Sequence, residues 1–293
     1  MVSHSSRIAV ITLAVLLAMS GSAEAGLFRH RSSESSDSEN VKNETTLTYE
    51  SRTIYVHVPQ SLPAQGQRPL VVVLHGGMGN AKRIATEQSE KGMNLDEVAD
   101  KYGFIVAYMN GTAVTRFLGD DKKGWNAGLC CGQSSEKNID DVSYITGAVK
   151  YLAGEYGVDM RRVYGVGHSN GAMMTQRMIC ETGLFSAGVS ISGGLNMEVS
   201  SCPGARGRSI LELHGEKDTA VPLEGGKGSG ISNKYDKKSQ EFSKRIIEGS
   251  GGSYKLEVLP GAAHKLDTIS EAVQKQDGIS LPEKIVRFFG LSR

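Results

Sequence analysis

The stretch RVYGVGHSNGAMM, Arg162 to Met174, runs from a short apolar segment into residues with helical spacing, and at the join a serine stands between two glycines. Gly167-His168-Ser169-Asn170-Gly171 satisfies G-x-S-x-G, the sharp strand-to-helix turn that lifts a serine hydroxyl above the edge of a sheet. In a chain with 36 glycines the five residues alone would equally suit an ordinary tight turn. Their context separates the two readings. VYGV before the turn reads as a buried strand and AMMTQRM after it as a helix, the setting a nucleophilic serine requires.

Outward from this turn the same alternation repeats. Five segments read as strands: PLVVVLHG, GFIVAYMNG, RRVYGVGHS, RSILELHG and YKLEVLPG. The first three are apolar throughout, as expected of central strands covered on both faces, whereas the last two alternate and are expected to be less completely covered. NLDEVADKY, DDVSYITGAVKYLAGEY, AMMTQRMIC, KYDKKSQEFSKRIIEG and PEKIVRFFG carry helical spacing, and Asp140 or Asp141 suits the N-cap of the second. Strands alternating with helices predict an α/β fold in one domain, a mainly parallel sheet with helices on both faces. EGGKGSGISNK, Glu224 to Lys234, is a glycine-rich loop long enough to move over a site or simply to be disordered.

A serine hydroxyl needs a base, and in this type of fold the order along the chain is serine, acid, histidine. Of seven histidines only His214 and His264 follow Ser169. His264 lies in GAAH just after the strand YKLEVLP, and is the predicted base. Two aspartates lie between Ser169 and His264. Asp218 follows the strand SILEL, whereas Asp236 falls in a lysine-rich segment and is expected to be solvated. Asp218 is therefore the predicted acid, with Glu216 as its substitute. Ser169, Asp218 and His264 thus each follow the carboxyl end of a predicted strand, the edge where open α/β sheets hold ligands. HGGMGN, His75 to Asn80, follows another such strand. The backbone N–H groups of Gly77 and Asn170 are the predicted oxyanion donors, with Met78 as a substitute for Gly77. Trp125, the single tryptophan, and His168 are candidates to face a substrate. For Trp125, in the irregular loop KKGWNAGLCCG, a buried anchor is an equal reading.

Arg7, the apolar run from Ile8 to Met19, and Ala23-Glu24-Ala25 have the three parts of a secretory signal, with cleavage expected after Ala25. Residues 26–46 are polar and serine-rich and read as a tether, and residues 47–293 as the folded domain. The expected location is periplasmic or extracellular, with no later segment apolar enough to span a membrane. The formal charge of +1 shows no basic stripe, so nucleic acid is not an expected partner. Cysteines in an exported chain are expected to pair. Cys180 with Cys202 is the favoured bridge, and Cys130 and Cys131 are left unassigned. No C-x-x-C pair or H-x-x-x-H spacing points to a metal.

LHGGMGNA, GWNAGLCCG, DDVSYI, RVYGVGHSNGAMM, ELHGEKDTAVP and GAAH, in this order, resemble exported α/β-hydrolase esterases of the polyhydroxybutyrate depolymerase and feruloyl esterase type. The resemblance covers nearly the whole mature domain. It implies the α/β-hydrolase fold, a triad of Ser169, His264 and Asp218, an oxyanion hole beside Asn170, small or oligomeric carboxylic esters as substrates, and no cofactor. Two departures stand out. Lys265 follows the histidine where many relatives have an aromatic residue, and Met78 interrupts a run of glycines. A peptidase of the prolyl oligopeptidase kind and a non-catalytic binding protein on the same scaffold are the competing functional readings.

Overall fold

The computed structural model describes residues 44–85, 93–114, 121–229 and 233–292, so the signal segment and all but the end of the tether lie outside the described residues. In chain order the strands are β1 (Glu44–Tyr49), β2 (Arg52–His57), β3 (Arg68–Leu74), β4 (Ile105–Met109), β5 (Thr112–Ala113), β6 (Lys123–Gly124), β7 (Val158–His168), β8 (Ala187–Ile191), β9 (Ser209–Gly215), β10 (Gly226–Lys227), β11 (Asp236–Lys237) and β12 (Ser253–Leu259). The helices are α1 (Ala81–Ala85), α2 (Asp96–Tyr102), α3 (Gly132–Glu136), α4 (Asp141–Tyr156), α5 (Asn170–Thr182), α6 (Gln240–Gly249), α7 (Leu266–Asp277) and α8 (Leu281–Phe288).

Eight strands form one sheet in the order β1-β2-β4-β3-β7-β8-β9-β12. β4, β3, β7, β8, β9 and β12 are mutually parallel, and the β1–β2 hairpin adds antiparallel to β4. This is the α/β-hydrolase architecture. The uninterrupted valines of β3 explain its central place: Val72 packs with α4 and α5 residues on one face, and Val71 and Val73 with α1, α2, α7 and α8 residues on the other. A strand covered on both faces gains from being apolar at every position. Asp140 caps α4, its carboxylate accepting the Ser143 N–H.

The structure differs from the sequence reading in several places. β9 is almost wholly buried rather than half covered, because Glu212 and His214 on its polar face have zero exposure and are satisfied inside the protein. β12, the edge strand of the sheet, is less completely covered, as expected, with Ser253, Lys255 and Val258 exposed and Tyr254 and Leu259 buried. β1, β2 and β8 add to the five strands legible in the sequence, and β1 begins at Glu44, ahead of the expected domain start at Leu47. Helix α7 adds to the helices legible in the sequence, and α6 begins at Gln240, since Asp236–Lys237 pair as a strand with Gly226–Lys227. That short hairpin frames the glycine-rich loop, of which residues 230–232 lie outside the described residues. Among the described residues no helix is long and apolar enough to cross a membrane.

Candidate active site

Ser169 sits between β7 and α5 with φ 54° and ψ −118°, a conformation that side-chain-bearing residues seldom adopt. The turn closes only because its flanks are glycines. A Cβ on Gly167 would lie 2.2 Å from the Gly171 carbonyl oxygen, and one on Gly171 would lie 2.2 Å from that of Leu74. The Ser169 N–H donates to the Ile191 carbonyl at 2.8 Å, which ties the turn to the end of β8.

Three side chains from three strand ends meet here. His264 Nε2 lies 2.9 Å from Ser169 Oγ, and its Nδ1 lies 2.8 Å from Asp218 Oδ2. Asp218 Oδ1 accepts the N–H groups of Ala220 at 2.9 Å and Val221 at 2.8 Å, so its carboxylate is held from both ends. Burial alone would raise the Asp218 pKa. The His264 hydrogen bond and charge, the Val221 N–H and the His214 charge outweigh it and hold the carboxyl below its ordinary range. Glu216 is exposed and accepts the Gly261 N–H at 2.9 Å, bracing the loop that carries His264. It takes no part as the substitute acid.

The loop after β3 approaches the same turn. A Cβ on Gly77 would lie 3.6 Å from the Asn170 Cβ, so the two predicted donor segments are neighbours. The Gly76 carbonyl accepts from His75 Nδ1 at 2.8 Å and from the Gly79 N–H at 3.0 Å. A trans peptide points its N–H opposite to its carbonyl, so these two bonds also set the direction of the Gly77 N–H. His75 Nε2 accepts the Gly111 N–H at 3.0 Å, and burial lowers its pKa to about 4, which keeps the ring neutral. The substitute role for Met78 does not survive: its N–H donates to the Lys123 carbonyl at 2.8 Å.

Trp125 has zero exposure, its indole N–H donates to the His75 carbonyl at 3.0 Å, and its ring packs against that of His75. It is the buried anchor and not a wall of the substrate space. His168 does not present a free ring to substrate either. Its Nε2 donates to the His264 carbonyl at 2.8 Å, and burial, reinforced by the His264 charge, lowers its pKa to about 3. A neutral His168 thus props the backbone of the residue beside Ser169. The favoured bridge Cys180–Cys202 is present, and Cys130 and Cys131 pair with each other.

The fold recurs widely. S-formylglutathione hydrolase from Agrobacterium tumefaciens superposes with a TM-score of 0.57 at 13% identity, covering 87% of this chain and 98% of that one. LpqC, a poly(3-hydroxybutyrate) depolymerase from Bordetella parapertussis, does so with a TM-score of 0.54 at 14% identity, covering 84% and 93%. In sequence, feruloyl esterase B from Piromyces equi is 28% identical over 187 residues, 62% of this chain and 32% of that protein. The chain spans about half the length, or less, of the curated relatives it matches. The family model described as esterase PHB depolymerase matches residues 53–207, more than half of the chain and the segment that carries the Gly77 loop and the Ser169 turn. The chain belongs to the esterase PHB depolymerase family.

Proposed function

We propose that this protein is an exported serine esterase that hydrolyses carboxylic esters through an acyl-enzyme. The observation that carries this reading is the unbroken hydrogen-bonded line from Ser169 Oγ through His264 to Asp218 Oδ2. His264 Nε2 takes the hydroxyl proton as Ser169 Oγ attacks the ester carbonyl carbon. Asp218 holds Nδ1–H, which fixes the tautomer and stabilises the imidazolium. The N–H groups of Gly77 and Asn170 stabilise the oxyanion of the tetrahedral intermediate. Asn170 is the first residue of α5, so its N–H is one of the donors a helix leaves unsatisfied in its first turn. His264 then protonates the departing alcohol, and a water deprotonated by His264 releases the acid and restores Ser169.

The substrates proposed are soluble hydroxyalkanoate oligomers and feruloyl or acetyl esters, the classes named for the family and for the relatives it resembles. Export rests on the charged start, apolar run and small-residue site that end at Ala25. Hydrolysis of a short p-nitrophenyl ester by the mature protein tests the chemistry. Ser169→Ala is expected to lower kcat on the order of 10⁶-fold and to abolish labelling by a fluorophosphonate. Undiminished hydrolysis by Ser169→Ala would overturn the mechanism. Comparing feruloyl, acetyl-xylan and 3-hydroxybutyrate oligomer esters with an aminoacyl-prolyl amide separates the ester classes from the peptidase reading.

A further inference from the structure

Behind Asp218, inside the protein, lies a polar cluster that the mechanism above does not use. Glu212 and His214 are two residues apart on β9, so their side chains share one face of the sheet, and both have zero exposure. His214 Nδ1 lies 2.8 Å from Glu212 Oε1. His214 Nε2 faces the Val221 carbonyl at 2.9 Å and, at 3.6 Å, the Asp218 Oδ2 that also meets His264. A carbonyl only accepts, so Nε2 carries a proton. Glu212 Oε1 also accepts the Gly193 N–H at 3.1 Å, and Gln176 Nε2 lies 3.4 Å from Oε2. Oε1 thus has two donors, whereas Oε2 has only the long contact from Gln176, whose Nε2 lies closer to Ser190 Oγ at 3.0 Å and Tyr254 Oη at 3.1 Å. Burial raises the Glu212 pKa, and the hydrogen bond and charge of His214, with Ser190 and the Gly193 N–H, act against that rise. Gln240 Nε2 also lies 3.1 Å from His214 Nδ1, but an amide nitrogen only donates and so accepts nothing from a protonated Nδ1, whose acceptor is Glu212 Oε1 at 2.8 Å. The ring thus stands between two carboxylates, one for each nitrogen.

We propose that Glu212 and His214 form a buried ion pair whose imidazolium holds Asp218 ionised and sets the pH at which the Ser169–His264 pair becomes competent. Both are positioning residues acting through Asp218, and the inference rests on the triad reading above. The other titratable groups facing this cluster are His264 on the loop after β12, Tyr254 on β12 and Lys237 on β11. Tyr254 stays neutral, since burial and the Glu212 charge raise its pKa well above 10, and its hydroxyl donates to Gln240 Oε1 at 2.7 Å. Lys237 Nζ donates to the Tyr235 carbonyl at 2.7 Å, and its charge acts on Asp218. α5, α6 and β8 contribute neutral groups, Gln176, Gln240, Ser243 and Ser190. The titration of His214 agrees with the geometry. Burial disfavours its charge, but the hydrogen bond and charge of Glu212, with Val221 and Asp218, leave its pKa raised.

The sign of the effect follows from charge. With His214 positive, part of the Asp218 field is spent on it. Once that charge is gone, Asp218 acts on His264 alone, His264 protonates more readily, and the acidic limb of the kcat/KM profile moves to higher pH. Glu212→Gln and His214→Gln are each expected to move that limb up by about one pH unit, with KM within about twofold. A limb that stays in place in both folded variants overturns the proposal. The wild-type chain supplies a second measurement that needs no variant to fold. With [15N]histidine incorporated and the His214 ring assigned from its backbone, both ring nitrogens are expected to be protonated at pH 7, where an ordinary histidine is mostly neutral. A bare nitrogen at His214 at that pH overturns the proposal. Loss of activity in Ser169→Ala, combined with an unmoved limb, would remove this inference alone; an active Ser169→Ala would remove the triad reading instead.

Discussion

Asn170 and Trp125 are joined by two hydrogen bonds, the Trp125 N–H donating to Asn170 Oδ1 at 2.7 Å and Asn170 Nδ2 donating to the Trp125 carbonyl at 3.0 Å. The pair locks the irregular loop after β6 to the first turn of α5. Asn170 therefore serves the fold with its side chain, while its backbone N–H remains available to the proposed oxyanion. Asn170→Ala should keep that N–H but leave the buried Trp125 N–H unpaired, while the Trp125 carbonyl keeps the Ala127 and Cys131 N–H groups, at a cost of about 1–3 kcal/mol. Thermal or denaturant unfolding measures this. A loss near zero would mean that the loop relaxes without penalty.

Asp218→Asn should leave the fold nearly intact and still lower kcat on the order of 10⁴-fold, because an amide that donates toward Nδ1 selects the wrong histidine tautomer. Steady-state kinetics beside a circular dichroism spectrum check both halves. A loss of only a few-fold would deny Asp218 the role of acid.

Gly171→Ala should abolish activity and strongly destabilise the protein. The new methyl would stand 2.2 Å from the Leu74 carbonyl oxygen and 2.5 Å from that of His75, backbone atoms that cannot rotate away. Soluble yield and activity after purification report it. Wild-type activity would show that β3 can shift from the turn.

His75 should make stability fall on acidification from about pH 6.5. His75 is buried and neutral with a pKa lowered to about 4, whereas the unfolded chain's histidine titrates near 6.5. Between those values the unfolded state binds the extra proton, so stability is present above the window and lost as pH falls through it. At pH 5 this one residue should cost about 2 kcal/mol relative to pH 7. His168 adds to the loss in the same direction, down to about pH 3. Asp218, with its lowered pKa, adds a further loss only below about pH 4. Urea unfolding across pH 4–8 measures the slope.

The Cys180–Cys202 bridge, which closes a separation of 22 residues, ties the last turn of α5 to the segment before β9. Replacing both cysteines by serine should cost about 3 kcal/mol through the freed unfolded chain, and leave kcat near wild type. A drop in kcat larger than the loss of folded protein would show that the bridge also shapes the site.

Much of this site is written locally. The apolar run of Leu70–Leu74, the glycines around Ser169 and the loop positions of Asp218 and His264 each state their place on a parallel strand or at its end, because a strand buried on both faces and a crowded turn tolerate few residue types. Order along the chain then leaves two histidines and two aspartates, of which His264 and Asp218 stand in loops just after a strand. What no local pattern carries is a partner from elsewhere in the chain. Trp125 has the residues of a pocket wall but is buried against His75, and Met78 has a backbone donor that Lys123 takes. His168 looks outward in sequence and supports the His264 carbonyl in space. The alternation in β9 reads as a half-exposed strand, yet α5, α6 and β12 supply Gln176, Gln240 and Tyr254 to cover its polar side. Burial is decided by packing between distant segments, and a polar residue goes inside only where those segments bring its hydrogen-bond partners.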